Sequence, residues 1–182
     1  MKVAGIAARI APLAVLFCLS IAGATQPAWE LQSDRVDILH DKNGDAVHLL
    51  ENPLIFKQGN EGRFELSSKS AWYSVKEPSI IDVSGKVHLG TDVWSAFTDA
   101  ARLDFSTGEI EVDGILVLVN ALSNARGDSY SISTSFWCQG GNLFIDGEDQ
   151  GEVDEDNAVS IGGGSWWCDG DRLQGRIFFQ IQ

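Results

Sequence analysis

Few residues in this sequence combine a reactive type with a reactive spacing. The three histidines, His40, His48 and His88, lie in the first half, and none is spaced as a zinc ligand with cysteine nearby. Gly127-Asp128-Ser129 offers a serine, but no histidine follows it to act as base and the Gly-x-Ser-x-Gly elbow is missing. Gly162-Gly163-Gly164 has neither a lysine nor a helical pattern behind it, so it reads as a turn and not as a phosphate loop. Asp146, Glu148, Asp149, Asp154, Glu155 and Asp156 crowd one stretch, yet with Gly147 and Gly151 they miss the calcium-loop spacing, and a solvated, mobile loop is expected there. Carboxylates are plentiful enough for a two-carboxylate glycosidase by count, but nothing singles out a pair. The expectation is a non-catalytic protein with no cofactor and no metal.

The formal charge is −13, and loss of residues 1–24 with Lys2 and Arg9 but no acid would deepen it to −15. Such a surface repels nucleic-acid phosphates and anionic headgroups, so no nucleic-acid partner is expected and an anionic amphiphile would be held by its apolar part.

The elements that must position any site read as strands. Phe64, Leu66 and Trp72 share one parity against Glu65, Ser67 and Lys69, and Ile81, Val83, Val87 and Leu89 alternate with Asp82, Ser84, Lys86 and His88. A period of two marks strands with one dry and one wet face. The unit recurs from Trp29, Phe64, Trp94, Tyr130 and Val159, starts that lie 29 to 36 residues apart, which is room for two strands and their connections. Turns fall at Asp41-Lys42-Asn43-Gly44-Asp45, Ser106-Thr107-Gly108, Gln139-Gly140-Gly141-Asn142 and Asp169-Gly170-Asp171. Ile110 to Val119 is apolar on both parities towards its end, as expected for a strand covered on both faces or placed where two sheets meet. The fold class is therefore all-β, with residues 29–182 forming one domain of about five hairpin repeats.

Cys138 and Cys168 hold comparable places in the last two copies, Phe136-Trp137-Cys138 and Trp166-Trp167-Cys168. Equivalent positions of stacked repeats come close, which admits a disulfide in an oxidising compartment, the alternative being two buried thiols. Ahead of the repeats, residues 1–28 read as a signal peptide or signal anchor. Lys2 and Arg9 precede an uncharged run from Ile10 to Trp29, close to the roughly 20 residues that span a bilayer, and Ala22-Gly23-Ala24 has the form of a cleavage site. Export follows from either reading, cleavage or retention as a hydrophobic helix.

An aromatic-x-Leu opening, a Ser/Thr-x-x-Ala step, an aromatic, a polar turn and a second apolar strand recur in FELSSKSAWY, IIDVSGKVHL, FTDAARLDFSTGEIEVDG and WELQSDRVDILHDKNGDAVHLLENPLIFKQG. This pattern resembles the lipopolysaccharide-export bridge proteins, the OstA-like β-jellyroll group that includes LptA and LptC. Glu51-Asn52-Pro53, followed by a second Leu/Phe run, is more similar to the LptC side. The resemblance implies an open β-jellyroll of stacked antiparallel hairpins behind an N-terminal membrane helix. It also implies a periplasmic location at the inner membrane and partners comprising lipopolysaccharide, an inner-membrane ABC transporter and an LptA-like bridge protein joined by edge-strand pairing. A soluble LptA-like link and a Trp-rich carbohydrate-binding β-sandwich are the alternatives, the latter distinguished by aromatics exposed on a flat face.

Alternating strands packed as two sheets place every second residue in a shared interior, and splayed sheets would leave a slot for acyl chains. The expected lining is Phe64, Leu66, Trp72, Ile81, Val83, Val87, Leu89, Trp94, Ile110, Val112, Leu116, Leu118, Tyr130, Ile132 and Phe136, and each would equally serve a sealed core. The final run, Ile177, Phe178, Phe179, Gln180 and Ile181, lacks charge and proline and is expected as an unprotected edge that docks the next bridge component, or else as an internal last strand.

Overall fold

In the computed structural model, which describes residues 29–58, 63–91, 93–123 and 129–177, the alternating pattern resolves into sixteen strands and one short 3-10 turn. In chain order the strands are β1 (Glu30–Gln32), β2 (Arg35–His40), β3 (Ala46–Glu51), β4 (Leu54–Gln58), β5 (Arg63–Ser67), β6 (Ser70–Ser74), β7 (Ile80–Gly90) and β8 (Trp94–Asp104). They continue as β9 (Glu109–Val112), β10 (Leu116–Ser123), β11 (Ser129–Gln139), β12 (Asn142–Ile145), β13 (Glu148–Glu152), β14 (Val159–Ile161), β15 (Gly164–Asp169) and β16 (Arg172–Ile177). All form one antiparallel network. The expected N-terminal helix falls on residues outside those described, and among the described residues no helix is long and apolar enough to cross a membrane.

The network divides into two layers because β7 and β8 belong to both. The first half of β7 pairs with β6 and its last residues pair with β5, while β8 pairs with β10 near its start and with β9 near its end. One layer therefore runs β1-β4-β5-β7-β8-β10-β11-β12-β13 and the other β2-β3-β6-β7-β8-β9-β16-β15-β14. Where the ribbon passes between layers, the inward frame of β8 shifts from Trp94, Ala96 and Thr98 to Ala101 and Leu103. A bulge between Ser84 and Val87 absorbs the same half-period on β7, so Ile81, Val83, Val87 and Leu89 all stay buried. Gly85 takes the left-handed conformation there, φ +76°, which its missing side chain tolerates.

Corners stack beside this bend. The backbone N–H of Asp34 donates to Glu51, that of Asn52 to Lys69 and that of Lys69 to Gly85, at 2.8–3.0 Å, so each crossing between layers hydrogen-bonds to the next. This satisfies backbone groups that the strands leave behind at the corners. The hairpin turns follow the sequence: Asp41 Oδ1 accepts from the N–H of Asn43 and Asp45, and the Asp41 carboxyl sits below its ordinary value chiefly through the Asp45 bond.

Three sequence expectations are corrected. The acidic stretch is ordered: Glu148–Glu152 is β13, and Asp154 caps the 3-10 turn Glu155–Asn157 by accepting from Asp156 and Asn157, while the Asn157 side chain accepts from the Asp154 N–H. Ile110 to Val119 is two strands in different layers, because the chain crosses at Asp113–Ile115, with Gly114 at φ +102°. Ile177 is not on an edge. It is buried at the end of β16, which lies between β15 and β9, and its N–H donates to Gly108. Phe178, Phe179, Gln180 and Ile181 lie outside the described residues.

Candidate functional site: an apolar cleft at one end of the interior

Inward-facing residues form continuous rows across each layer. In one layer the row reads Leu31, Ile55, Leu66, Leu89, Ala96, Leu118 and Thr134. In the other it reads Cys168, Leu173, Val112, Ala101, Val83, Ala71, Leu50 and Val36. The middle of both rows is sealed, and Leu66, Leu89, Ala96, Leu118, Val112 and Leu173 are inaccessible to solvent. A fully buried Leu or Phe of this kind stabilises the fold by about 1.5–3 kcal/mol.

Of the expected lining, Phe64, Leu66, Ile81, Val83, Val87, Leu89, Trp94, Ile110, Val112, Leu116, Leu118 and Phe136 lie in this core. Trp72 does not. It is 44% exposed, because the corner at Ser68 and Lys69 changes the frame between β5 and β6 and turns Ala71 and Tyr73 inward instead. Tyr130 and Ile132, 49% and 47% exposed, keep the parity of Phe136, but among the described residues no strand of the opposite layer seals them over. The interior is thus a packed core through its centre and not a continuous trough.

The two ends of the core differ. At the end formed by β11–β16, a disulfide joins Cys138 to Cys168 across the layers with Cα atoms 5.8 Å apart, and the Phe136 and Trp166 rings lie 6.5 Å apart beside it. The Trp166 indole is fully buried and donates to the Ile161 carbonyl at 2.9 Å. Turns of equivalent copies stack there, with the Gly141 N–H donating to Gly170 and the Gly140 N–H to Asp171.

At the opposite end the cover fails. Val36 and Ile38 on β2 belong to the inner frame, paired with Leu50 and His48, yet they are 36% and 62% exposed. Next to them is an apolar cleft of about 200 Å³ lined by Trp29, Leu31, His48, Ile55, Tyr73, Val75, Pro78, Ile81 and Phe105. Trp29 spans its rim, with ring centroids 4.4 Å from Phe105 and 5.7 Å from Phe64, and the Lys57 ammonium lies 5.5 Å from the indole centroid. Two polar groups sit in the wall: His48 Nδ1 and the Tyr73 hydroxyl share a hydrogen bond of 2.7 Å. Burial pushes the His48 imidazole below its ordinary pKa and raises that of the Tyr73 phenol. The cleft exceeds the ~150 Å³ apolar cavity that suffices to bind benzene, so it can hold a short run of alkyl chain.

Only Ile81 of the expected lining reaches this cleft. The signal for Tyr73 and Val75 was present in the frame Ala71-Tyr73-Val75, whose partners Ser70, Trp72 and Ser74 are mostly polar. Among the described residues no group of three or more His, Cys, Asp or Glu is placed to hold a metal ion. No protein-family profile matches this sequence, and no curated protein matches it.

Proposed function

We propose that this chain is a non-catalytic periplasmic carrier for the acyl chains of lipopolysaccharide, an open β-jellyroll of the LptC-like kind that receives lipid from an inner-membrane transporter and passes it to the next bridge protein. The observation that carries the reading is the failure of cover along the inner face: the row from Cys168 to Leu50 is shielded, then reaches daylight at Val36, beside an apolar cleft. Each methylene removed from water contributes about 0.8 kcal/mol, so a tail of a few carbons lodged under Trp29 gains affinity without directional bonds. In this reading the β1–β6 end holds the tail, and the sealed centre acts as scaffold. Handover then proceeds at β2, whose outer edge has no strand partner among the described residues.

The experiment is photocrosslinking from probes at Ile38 and Val75, both exposed beside the cleft, in membranes containing the export machinery. Adducts with lipopolysaccharide are expected from both positions and not from Lys42 in the β2–β3 turn. Adducts from Lys42 alone, or from none of the three, would remove the reading.

A further inference from the structure

The outer face of the β2-containing layer carries a second, chemically different depression. Its volume is about 400 Å³, and Trp72, Asp82, Arg102, Glu111 and Arg172 stand around it over a floor containing Ser84 and Ala100. The register explains its form. Trp72, Asp82, Arg102, Glu111 and Gln174 are cross-strand neighbours in one row, while the adjacent positions Ser84 and Ala100 are small and leave a trough beside that row.

The polar groups are arranged as alternating acceptors and donors. Arg102 Nη1 lies 3.4 Å from both oxygens of Asp82, Arg172 Nη1 donates to Glu111 Oε1 at 2.5 Å, and Gln174 Nε2 donates to Glu111 Oε2 at 3.3 Å. These pairs set carboxylates beside guanidiniums while leaving lone pairs and N–H groups over for a ligand. Burial raises the Asp82 carboxyl above its ordinary value against the pull of Arg102, which marks the trough as partly desolvated. At one side Trp72 presents an indole that is 44% exposed, far more than a core tryptophan and enough to offer a ring face.

We infer that this trough binds a neutral, gluco-configured oligosaccharide, with one pyranose ring stacked on Trp72 and its hydroxyls bridging Asp82, Arg102, Glu111 and Arg172. A sugar with equatorial substituents has a flat C–H face that suits an aromatic platform, and its vicinal hydroxyls donate and accept at the spacing that carboxylate and guanidinium offer. Charge argues for a neutral ligand: two guanidiniums are already paired with two carboxylates, and Asp113 adds a further negative charge that opposes anions. The trough volume lies in the range of small-molecule sites, roughly 300–1,000 Å³. It is on the opposite face of the layer from the acyl cleft, so the two sites stand or fall separately.

The test is calorimetric titration of the full chain with cellotriose, maltotriose and triacetylchitotriose at millimolar concentration, together with the Trp72 indole resonance. At least one trisaccharide is expected to bind and shift that resonance. Trp72→Ala should weaken binding by about tenfold or more, Trp72→Phe should retain most of it, and Asp82→Asn should weaken it. Both Trp72 variants should leave acyl-probe binding at the cleft unchanged, which separates this site from the lipid reading. No binding by any of the three sugars, or equal binding by Trp72→Ala, overturns the inference.

Discussion

His48 and Tyr73, on neighbouring strands, share a 2.7 Å hydrogen bond within the wall of the apolar cleft, their rings meeting edge to face with centroids 5.0 Å apart. The wall is therefore apolar only while His48 is neutral. Burial holds its pKa below the ordinary 6.5, so the folded protein binds fewer protons than the unfolded chain on the acid side of that value. The stability this contributes is complete above the unfolded value and is lost as the pH falls through the folded one. Urea midpoints measured near pH 7.5 and about pH 5 should fall more for the wild type than for His48→Gln. Equal falls would show that His48 does not titrate in the wall.

Closure of the β11–β16 end by the disulfide has a measurable worth. The bond spans 30 residues, and in the chain-entropy account a loop of that length stabilises by ~3–4 kcal/mol. Reduction, or the double change Cys138→Ala and Cys168→Ala, should lower the urea midpoint accordingly. Hydrogen exchange should accelerate first in β14–β16, with β5–β8 protected until global unfolding.

Packing at Trp166 leaves no room for one more carbon. A Cβ on Gly175 would lie 2.5 Å from Cε3 of the buried indole, and β16 is flanked by strands on both sides. Gly175→Ala should cost about 1–3 kcal/mol by overpacking, and pairing it with Trp166→Phe should recover part of that loss in a double-mutant cycle. Additive effects would mean that the two residues do not compete for space.

Frame along the strands makes opposite forecasts for two large residues of the same copy. Leu89 is fully buried in the shared ribbon, so Leu89→Ala should cost about 2–5 kcal/mol. Trp72→Ala on the exposed face should shift stability by no more than about 0.5 kcal/mol. A large loss at Trp72 by denaturant melting would place its ring in the core after all.

Much of the layered core was legible because Phe64 and Leu66, and Ile81, Val83, Val87 and Leu89, keep one sequence parity, which on β7 survives the bulge between Ser84 and Val87. The nearness of the two cysteines was legible from the equivalence of Trp137-Cys138 and Trp167-Cys168 in successive copies, while the choice between a disulfide and two thiols came only from the structure. Trp72 was misread because local alternation carries no information across a corner such as Ser68–Lys69, where the phase is reset by the crossing between layers. Tyr130 and Ile132 show the complementary limit: their frame is right, but burial depends on whether another strand lies opposite, which is a property of the whole network. For the same reason the cleft itself could not be read, since it arises where β2 outruns its cover and brings Trp29, Tyr73 and Phe105 together from separate copies. Ile177 opened a run with the composition of an edge, and only the pairing of β16 with both β9 and β15 shows otherwise.

Because β7 and β8 are common to both layers, neither layer can slide past the other, and the molecule behaves like a clothes-peg whose spring is that ribbon. One pair of jaws is riveted by sulfur, and at the other an indole rests against two phenyl rings. Compliance is accordingly graded along the body, stiffest beside the sulfur bridge and softest at the rim beside Trp29.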